Sequence, residues 1–299
     1  MSAFNAPRKP RATHPGAQGI VTSQAEPIGQ VDASNGDRLG TGYAEFDRVL
    51  GGGLAAGSVT LIGGDPGIGK STLLLQCAAA ISARVPVLYA TGEESVRQVA
   101  ERGKRLAVQG PALSLISETA VERILEECER AGARVLIVDS IQTMSVGDVD
   151  AAPGAVTQLR ESTARLVRHA KAAGTAVLLI GHVTREGVIA GPRVLEHMVD
   201  TVLYFESDSG SRFRVIRAVK NRFGAVNEIG VFAMDEQGLH EVRNPSAIFL
   251  SRGSEAVPGS VVTVAREGTR QMLIEVQSLV DPSQAANPRR VAVGFESNR

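Results

Sequence analysis

The amino-acid sequence predicts an α/β fold with a mostly parallel central sheet and an antiparallel extension at one edge. Short apolar runs alternate with helical patterns between residues 59 and 180, which is typical of parallel strands joined by helical crossovers. Beyond about residue 200, strand patterns follow one another across short polar turns, which indicates hairpins. The chain has no Trp and 4% aromatic residues, so we expect a sheet core of aliphatic side chains.

Each helix and strand of this prediction follows from local apolar periodicity. Unbroken apolar runs predict buried strands, and apolar residues at a spacing of three or four predict helices. The first part of the chain gives strands at 59–62, 85–90, 135–138 and 176–180, and helices at 71–82, 95–107, 119–131 and 157–173. Hairpin strands follow at 201–205, 213–219 and 229–234. The parallel part of the sheet is therefore expected to end near residue 200.

Composition divides the chain into three segments. Residues 1–38 are rich in Pro, Gly, Ser, Ala and Gln and lack a sustained apolar period, which predicts a disordered tail or linker. Residues 39–254 carry the predicted α/β domain. Two strand patterns between 259 and 280, with a turn at 266–270, predict a partial small C-terminal β unit within residues 255–299.

The charge balance restricts the functions open to this chain. Its 32 Lys and Arg residues equal its 32 Asp and Glu residues, which excludes a uniformly basic surface for nucleic acid. DNA binding would need a local basic patch, or loops gathered by oligomerisation. No apolar stretch is long enough to span a membrane, and no apolar run follows the basic N-terminus. We therefore expect a cytoplasmic protein.

The two cysteines, Cys77 and Cys128, lie in apolar helical patterns. Such cysteines are typically small buried side chains. They lack the paired spacing of a zinc site, so no zinc is expected.

One segment fits the phosphate-binding pattern G-x-x-x-x-G-K-[ST] and lies between a predicted strand and a predicted helix. Its glycines allow a sharp turn that brings backbone N–H groups against phosphate oxygens, and the following helix directs its positive end at them. The pattern and its context predict a site for a nucleoside triphosphate. The segment consists of Gly64, Asp65, Pro66, Gly67, Ile68, Gly69, Lys70 and Ser71.

Four side chains have predicted roles beside the phosphates. Lys70 would reach the β and γ phosphates, and the Ser71 hydroxyl would ligate Mg²⁺. Thr72 would assist at the start of the helix. Asp139 ends the apolar strand 135–138, where the second carboxylate associated with Mg²⁺ is expected in this class of site.

Hydrolysis also needs a group that activates water. Glu93 and Glu94 follow the second predicted strand, and either carboxylate suits a general base, with Glu93 preferred. The alternative is a pair of carboxylates that stabilise a helix N-terminus. His182 follows the strand 176–180, where a polar side chain can sense the γ-phosphate, although a lone histidine is commonly structural.

Lys220 and Arg222 are two residues apart on a predicted strand, so we expect their side chains on the same face. One interpretation is a solvated sheet edge. The other is a pair of cations offered to the phosphate site of a neighbouring subunit, where positive charge accelerates phosphoryl transfer.

Several motifs together resemble the bacterial DNA repair protein RadA (Sms) family. They include Lys220-Asn-Arg-Phe-Gly224, which is a signature of that family, and the resemblance extends over residues 39–299. The other matching segments are residues 39–54, 91–95, 139–143, 181–187 and 190–200.

The resemblance implies a RecA-like P-loop ATPase core that assembles as a hexameric ring. ATP and Mg²⁺ are the implied cofactors, held by Lys70, Ser71 and Asp139. Glu93 would be the catalytic carboxylate and His182 the sensor. Residues 39–254 would be the ATPase domain, and residues 255–299 the start of a Lon-protease-like domain.

The resemblance further implies a DNA-dependent ATPase of recombinational repair, acting on single-stranded DNA and branched intermediates. The loops 144–158 and 183–198 would face DNA, with Arg185 and Arg193 as phosphate contacts. Lys220 and Arg222 would act across the subunit boundary. The RecA recombinase is an implied protein partner.

Two departures from the family pattern keep other functions open. Residues 1–38 lack the family's four-cysteine zinc finger, and residues 255–299 match only the opening of its C-terminal domain. An ATP-switched regulator or scaffold resembling KaiC shares much of the same core, although the 220–224 motif favours RadA. A ring subunit that binds ATP but is incomplete is the third interpretation.

Overall fold

The computed structural model describes residues 27, 38–182, 194–207, 210–250, 258–280, 282 and 291–294. The chain divides into two units, Met1–Gly36 and Asp37–Arg299, and all helices and strands below belong to the second. In chain order they are α1 (Ala44–Leu50), β1 (Val59–Gly64), α2 (Lys70–Ser82), β2 (Val87–Thr91), α3 (Val96–Arg105), β3 (Leu113–Ser117), α4 (Val121–Arg130), β4 (Val135–Asp139), α5 (Val156–Ala173), β5 (Ala176–His182), β6 (Thr201–Glu206), β7 (Phe213–Asn221), β8 (Ile229–Asp235), β9 (Gly238–Glu241), β10 (Ser260–Glu267) and β11 (Arg270–Gln277). Two short 3-10 helices lie at Ile141–Thr143 and Pro245–Ile248.

Nine strands of the described residues form one sheet in the order β3-β2-β4-β5-β1-β6-β7-β8-β9. The neighbours from β3 to β6 pair in parallel. The pairs β6–β7, β7–β8 and β8–β9 are antiparallel. The prediction of a mostly parallel sheet with an antiparallel extension at one edge is therefore confirmed.

Apolar side chains cover both faces of this sheet. Leu61 of β1 packs in the cluster that contains Cys128 of α4 and Leu166 of α5. The next residue, Ile62, packs in the cluster that contains Cys77 of α2. Because successive strand residues point to opposite faces, the unbroken apolar runs fill both layers. Both cysteines are buried, as predicted, and neither forms a disulfide among the described residues. Among the described residues, no helix is both long and apolar enough to cross a membrane.

Besides the two 3-10 helices, one α-helix and two strands of the described residues were not predicted by periodicity. The helix α1 has seven residues, which is too short for a clear helical period. The strand β9 has four residues, and β3 is a partly exposed strand at the sheet edge, so it lacks the unbroken apolar run of its neighbours. The strands β3 and β9 widen the sheet at its two edges and leave the predicted central strands in place.

The hairpin of β10 and β11 forms a separate two-stranded sheet. Its register continues to the pair Glu267–Arg270, so the predicted turn at 266–270 is too long. Charged residues occupy the strand ends because they have partners: the Arg270 guanidinium donates to both carboxylate oxygens of Glu45 in α1, at 2.5 and 2.9 Å. Arg217 of β7 donates to Glu267 at 2.8 Å. These ion pairs attach the hairpin to the α/β domain.

Candidate nucleotide-binding site

The predicted phosphate loop connects the end of β1 to the start of α2. Gly69 precedes α2 with a φ of 116°, a conformation that L side chains rarely adopt. A Cβ atom at this position would lie 2.5 Å from Cε of Met234 in β8, so a side chain would also collide. Arg214 of β7 donates from Nε to the carbonyl of Ile68 at 3.1 Å. The antiparallel extension thus packs directly against the phosphate loop.

Lys70 is a buried cation, with 3% of its surface exposed. Its Nζ donates to the carbonyl oxygens of Gly64 and Asp65 at 2.8 and 2.9 Å, and lies 3.4 Å from Nδ1 of His182. Burial lowers the pKa of Lys70 to about 8, although the carboxylates of Asp139, Asp65 and Glu93 act in the opposite direction. A phosphate anion bound in this loop would therefore stabilise the charged form of Lys70.

Asp139 ends β4, next to the end of β2. The hydroxyl of Tyr89 donates to its Oδ2 at 2.5 Å. Tyr89 is fully buried, and this burial raises the pKa of its phenol well above the usual value. The tyrosine hydroxyl therefore remains a proton donor and orients the Asp139 carboxylate. Sequence reasoning missed this residue, although a tyrosine within a buried strand needs a hydrogen-bond partner.

The two glutamates after β2 have different partners. Oε1 of Glu93 accepts a hydrogen bond from the Ser140 hydroxyl at 2.5 Å and lies 3.4 Å from Nε2 of His182. Glu94 forms an ion pair with Arg102 of α3. The Glu94 carboxylate is therefore neutralised by a neighbouring guanidinium, whereas Glu93 contacts the residue that follows β4 and the residue that ends β5.

Most of the predicted site residues line one cleft of about 490 Å³. Its lining also includes Arg102 and Met234, which sequence reasoning did not identify. Of the remaining loop residues, Gly64 and Asp65 accept hydrogen bonds from Lys70. The lining consists of Pro66, Gly67, Gly69, Lys70, Ser71, Thr72, Glu93, Glu94, Arg102, Asp139, His182 and Met234.

Lys220 and Arg222 lie elsewhere in the described structure. Lys220 Nζ donates to the carbonyls of Glu196 and Val199 at 2.7 and 2.9 Å, and Arg222 Nη1 donates to Asp200 Oδ1 at 3.0 Å. The expectation that both lie on one strand is wrong, because β7 ends at Asn221. Both side chains nevertheless contact the same segment, residues 196–200.

The predicted DNA contacts Arg185 and Arg193 lie outside the described residues. The other predicted loop, 144–158, is held by Gln158, whose buried side chain bonds the backbone of Val146, Val149 and Ala151. This loop contains Asp148 and Asp150 but no Lys or Arg. Its composition does not favour phosphate contacts.

Family and structure comparisons agree with this arrangement. A protein-family model described as an AAA domain matches residues 26–188, more than half of the chain. The chain belongs to this AAA domain family. The matched region contains the phosphate loop and the ends of β2, β4 and β5 that line the cleft.

Curated relatives share the RadA name. The DNA repair protein RadA of Pseudomonas aeruginosa is 59% identical over 272 residues, covering 91% of this chain and 60% of that protein. Those of Escherichia coli and Bacillus subtilis are 52% and 51% identical over 284 and 280 residues, covering 95% and 93% of this chain and 61% of each protein. The resemblance to RadA is thereby confirmed, and the chain spans about three fifths of these relatives' length.

A solved structure supports the same fold. The crystal structure of the RadB recombinase matches with a TM-score of 0.54 at 21% sequence identity, covering 69% of this chain and 100% of that chain. The predicted RecA-like fold is confirmed.

Proposed function

We propose that this chain is the ATPase core of a DNA-dependent motor in recombinational DNA repair. The observation that carries the proposal is the cleft that brings Lys70, Ser71, Asp139, Glu93 and His182 together. It contains a cation for phosphate, oxygen ligands for a divalent metal and a carboxylate for water. The name of the RadA relatives, DNA repair protein, supports the biological context.

The phosphate loop binds the triphosphate of ATP. Backbone N–H groups at the start of α2 and the Lys70 ammonium contact the β and γ phosphates. The Ser71 hydroxyl and the Asp139 carboxylate are oxygen donors in the same cleft, as Mg²⁺ prefers, and Tyr89 orients Asp139. Mg²⁺ bound there would neutralise charge on the transferring phosphoryl group.

Glu93 orients the attacking water and accepts its proton as the water oxygen bonds the γ-phosphorus and the bond to ADP breaks. Glu94 is the weaker candidate because Arg102 already binds its carboxylate. His182 contacts both Lys70 and Glu93, and its carbonyl accepts a hydrogen bond from Gln142 at 3.2 Å. We infer that His182 senses the γ-phosphate and transmits its presence to the segment that follows β5.

The nucleoside has a place beside the phosphates. A second cleft, of about 640 Å³, shares Thr72 and Met234 with the first and is also lined by Leu106 and Arg105. Its lining is mostly polar: Leu106 and Met234 are the apolar side chains that can pack against a purine ring, and the polar side chains beside them can hydrogen-bond the adenosine. We therefore place the adenosine of ATP in this second cleft.

The buried state of Lys70 gives a pH-dependent prediction. Phosphate charge raises the lowered pKa of Lys70 again, so ATP binding takes up a proton where free Lys70 is deprotonated, above about pH 8. We expect about a tenfold weaker ATP affinity at pH 9 than at pH 7. Calorimetry in buffers of different ionisation enthalpy measures the proton uptake. In Lys70→Arg, whose guanidinium stays charged, both effects should vanish; uptake that persists in this variant argues against the assignment.

We propose that Lys220 and Arg222 act on the ATP of a neighbouring subunit in a hexameric ring. Among the described residues they do not line their own chain's cleft. Lys220 contacts backbone carbonyls and is partly exposed, so few interactions need to break for it to reach another molecule. Both contact residues 196–200, a segment that overlaps the C-terminal end of the predicted DNA-facing loop 183–198 and continues two residues beyond it. DNA bound by Arg185 and Arg193 would then be coupled to catalysis in the neighbour.

Other parts of the proposal rest on the resemblance to RadA. We propose that residues 255–299, including the hairpin β10–β11, begin a Lon-protease-like domain. The RecA recombinase is the proposed protein partner, and branched recombination intermediates are the proposed DNA substrates.

The test is ATP hydrolysis with and without single-stranded DNA. We expect DNA to stimulate hydrolysis, and Lys220→Ala to lower the stimulated rate about tenfold, since Arg222 remains in place. A mixture of Lys70→Ala and Lys220→Ala subunits should hydrolyse ATP faster than the sum of the two separate rates. In the mixed ring, a Lys70→Ala subunit offers an intact Lys220 to the intact phosphate loop of a Lys220→Ala neighbour.

Lys171→Ala, which removes an exposed lysine of α5, is the matched control and should behave as the wild type. If DNA neither stimulates hydrolysis nor binds the ATP-loaded protein, the motor function is wrong. Hydrolysis without any response to DNA would favour a nucleotide-switched regulator. A mixture no faster than its separate parts would contradict the action across subunits.

A further inference from the structure

The ends of β2 and β4 are joined beyond the last strand pair. Thr91 pairs with Asp139 in the parallel register, and the next N–H, of Gly92, donates to the Asp139 carbonyl at 2.8 Å. A Cβ atom on Gly92 would lie 2.1 Å from Oγ1 of Thr143. Glycine therefore allows the loop that carries Glu93 to pack closely against the 3-10 helix that follows Ser140.

Ser140 is fully buried at this junction. Its hydroxyl donates to Oε1 of Glu93 at 2.5 Å. Its carbonyl accepts hydrogen bonds from the hydroxyl and the N–H of Thr143, at 2.8 and 3.2 Å, and these hold the Ser140 backbone in place. The Ser140 hydroxyl is therefore attached to a restrained backbone. Because this hydroxyl is buried, it needs a hydrogen-bond partner, and Glu93 supplies it.

Glu93, in contrast, needs an external anchor. Its side chain is 46% exposed, and a glutamate at such a position has several accessible rotamers. The hydrogen bond from Ser140 restrains one carboxylate oxygen, Oε1, on the same side as His182 Nε2. Because both oxygens belong to one planar carboxylate, restraining Oε1 also restrains the direction of Oε2.

We infer that Ser140 is a positioning residue for hydrolysis, which holds the Glu93 carboxylate so that Oε2 receives the attacking water. This inference rests on the proposed ATPase function. Ser140 itself contacts neither the phosphates nor the water in this role. Its effect should therefore appear in the rate of hydrolysis and not in ATP affinity.

The test compares Ser140→Ala with the wild type at saturating ATP. Because a hydrogen bond to a charged group is lost and the base becomes mobile, we expect kcat to fall about 10- to 100-fold. The Kd for a non-hydrolysable ATP analogue should change less than about twofold, which also shows that the variant is folded. Ser82→Ala, which removes a buried hydroxyl at the end of α2 that bonds only its own helix among the described contacts, is the matched control and should keep the wild-type rate.

A double-mutant cycle separates positioning from a structural effect. In the Glu93→Gln background, under single-turnover conditions, Ser140→Ala should cause little further loss, because the group that it positions has gone. An equal further loss would overturn the inference, as would a wild-type kcat for Ser140→Ala in an active enzyme. If Ser140→Ala does not bind nucleotide, Ser140→Cys replaces it in the test, because the cysteine has a similar volume but a weakly donating thiol. A large loss of kcat at constant Kd in Ser140→Cys supports the inference. A wild-type kcat in this variant overturns it. A wild-type protein without ATPase activity would instead refute the proposed function.

Discussion

Lys70→Ala is expected to reduce ATP hydrolysis about 1,000-fold and to weaken ATP binding strongly. The Lys70 ammonium is buried within the phosphate loop, so its charge acts on the phosphates with little screening by water. Arg102 also lines the cleft, but Glu94 neutralises it. Removal of one preorganised donor typically costs about 100- to 1,000-fold, and the contact to the γ-phosphate that we propose for Lys70 places it at the upper end. Phosphate release and nucleotide titration measure the two effects.

Lys104→Ala is the control for this variant, because Lys104 is an exposed lysine of α3 outside the nucleotide cleft. It should leave both hydrolysis and ATP affinity near the wild-type values. The assignment of the phosphate loop would be refuted if Lys70→Ala bound and hydrolysed ATP as the wild type does.

Glu93→Gln is expected to lower kcat about 100- to 10,000-fold while ATP affinity is retained. The amide keeps the shape of the carboxylate but cannot accept the proton of the attacking water. Among the described contacts, the Glu93 side chain bonds Ser140 and His182 and no residue of the β1–α2 loop, so the loss should fall on the chemical step. Rapid-quench measurement of the hydrolysis step, together with the Kd for a non-hydrolysable analogue, distinguishes the two effects.

Glu94→Gln is the matched comparison, because it alters the adjacent carboxylate, whose partner among the described side chains is Arg102. We expect a much smaller loss than for Glu93→Gln. The reverse order, with Glu94→Gln inactive and Glu93→Gln active, would show that Glu94 is the base and would remove the role given to Ser140.

Local features of the site could be predicted from the sequence. The phosphate loop occupies contiguous residues between a strand and a helix, so its pattern and context are visible together. Asp139 could be assigned because an apolar strand ends there. The alternation of strands and helices also gave the parallel part of the sheet, since unbroken apolar runs are required wherever helices cover both faces.

Contacts between distant segments could not be predicted in this way. The bonds from Tyr89 to Asp139 and from Ser140 to Glu93 exist because β2 lies beside β4 in one particular register. Apolar periodicity gives neither strand order nor register. Met234 reaches the phosphate loop from β8 for the same reason.

Two further details of the sheet could not be predicted from the sequence pattern. The edge strand β3 is partly exposed, and its weak alternation resembles a loop. Arg222 falls just after β7, where alternation along a strand no longer determines the direction of its side chain. Its ion pair with Asp200 is a tertiary contact that spacing alone does not indicate.

A structure of the protein with Mg²⁺ and a non-hydrolysable ATP analogue tests the central claim most directly: the ends of β1, β2, β4 and β5 form one ATP site. We predict that Lys70 Nζ contacts the β and γ phosphates, that Mg²⁺ lies between Ser71 and Asp139, and that His182 and Glu93 face the γ-phosphate. A nucleotide bound elsewhere, or one whose γ-phosphate is remote from Glu93, would contradict the account.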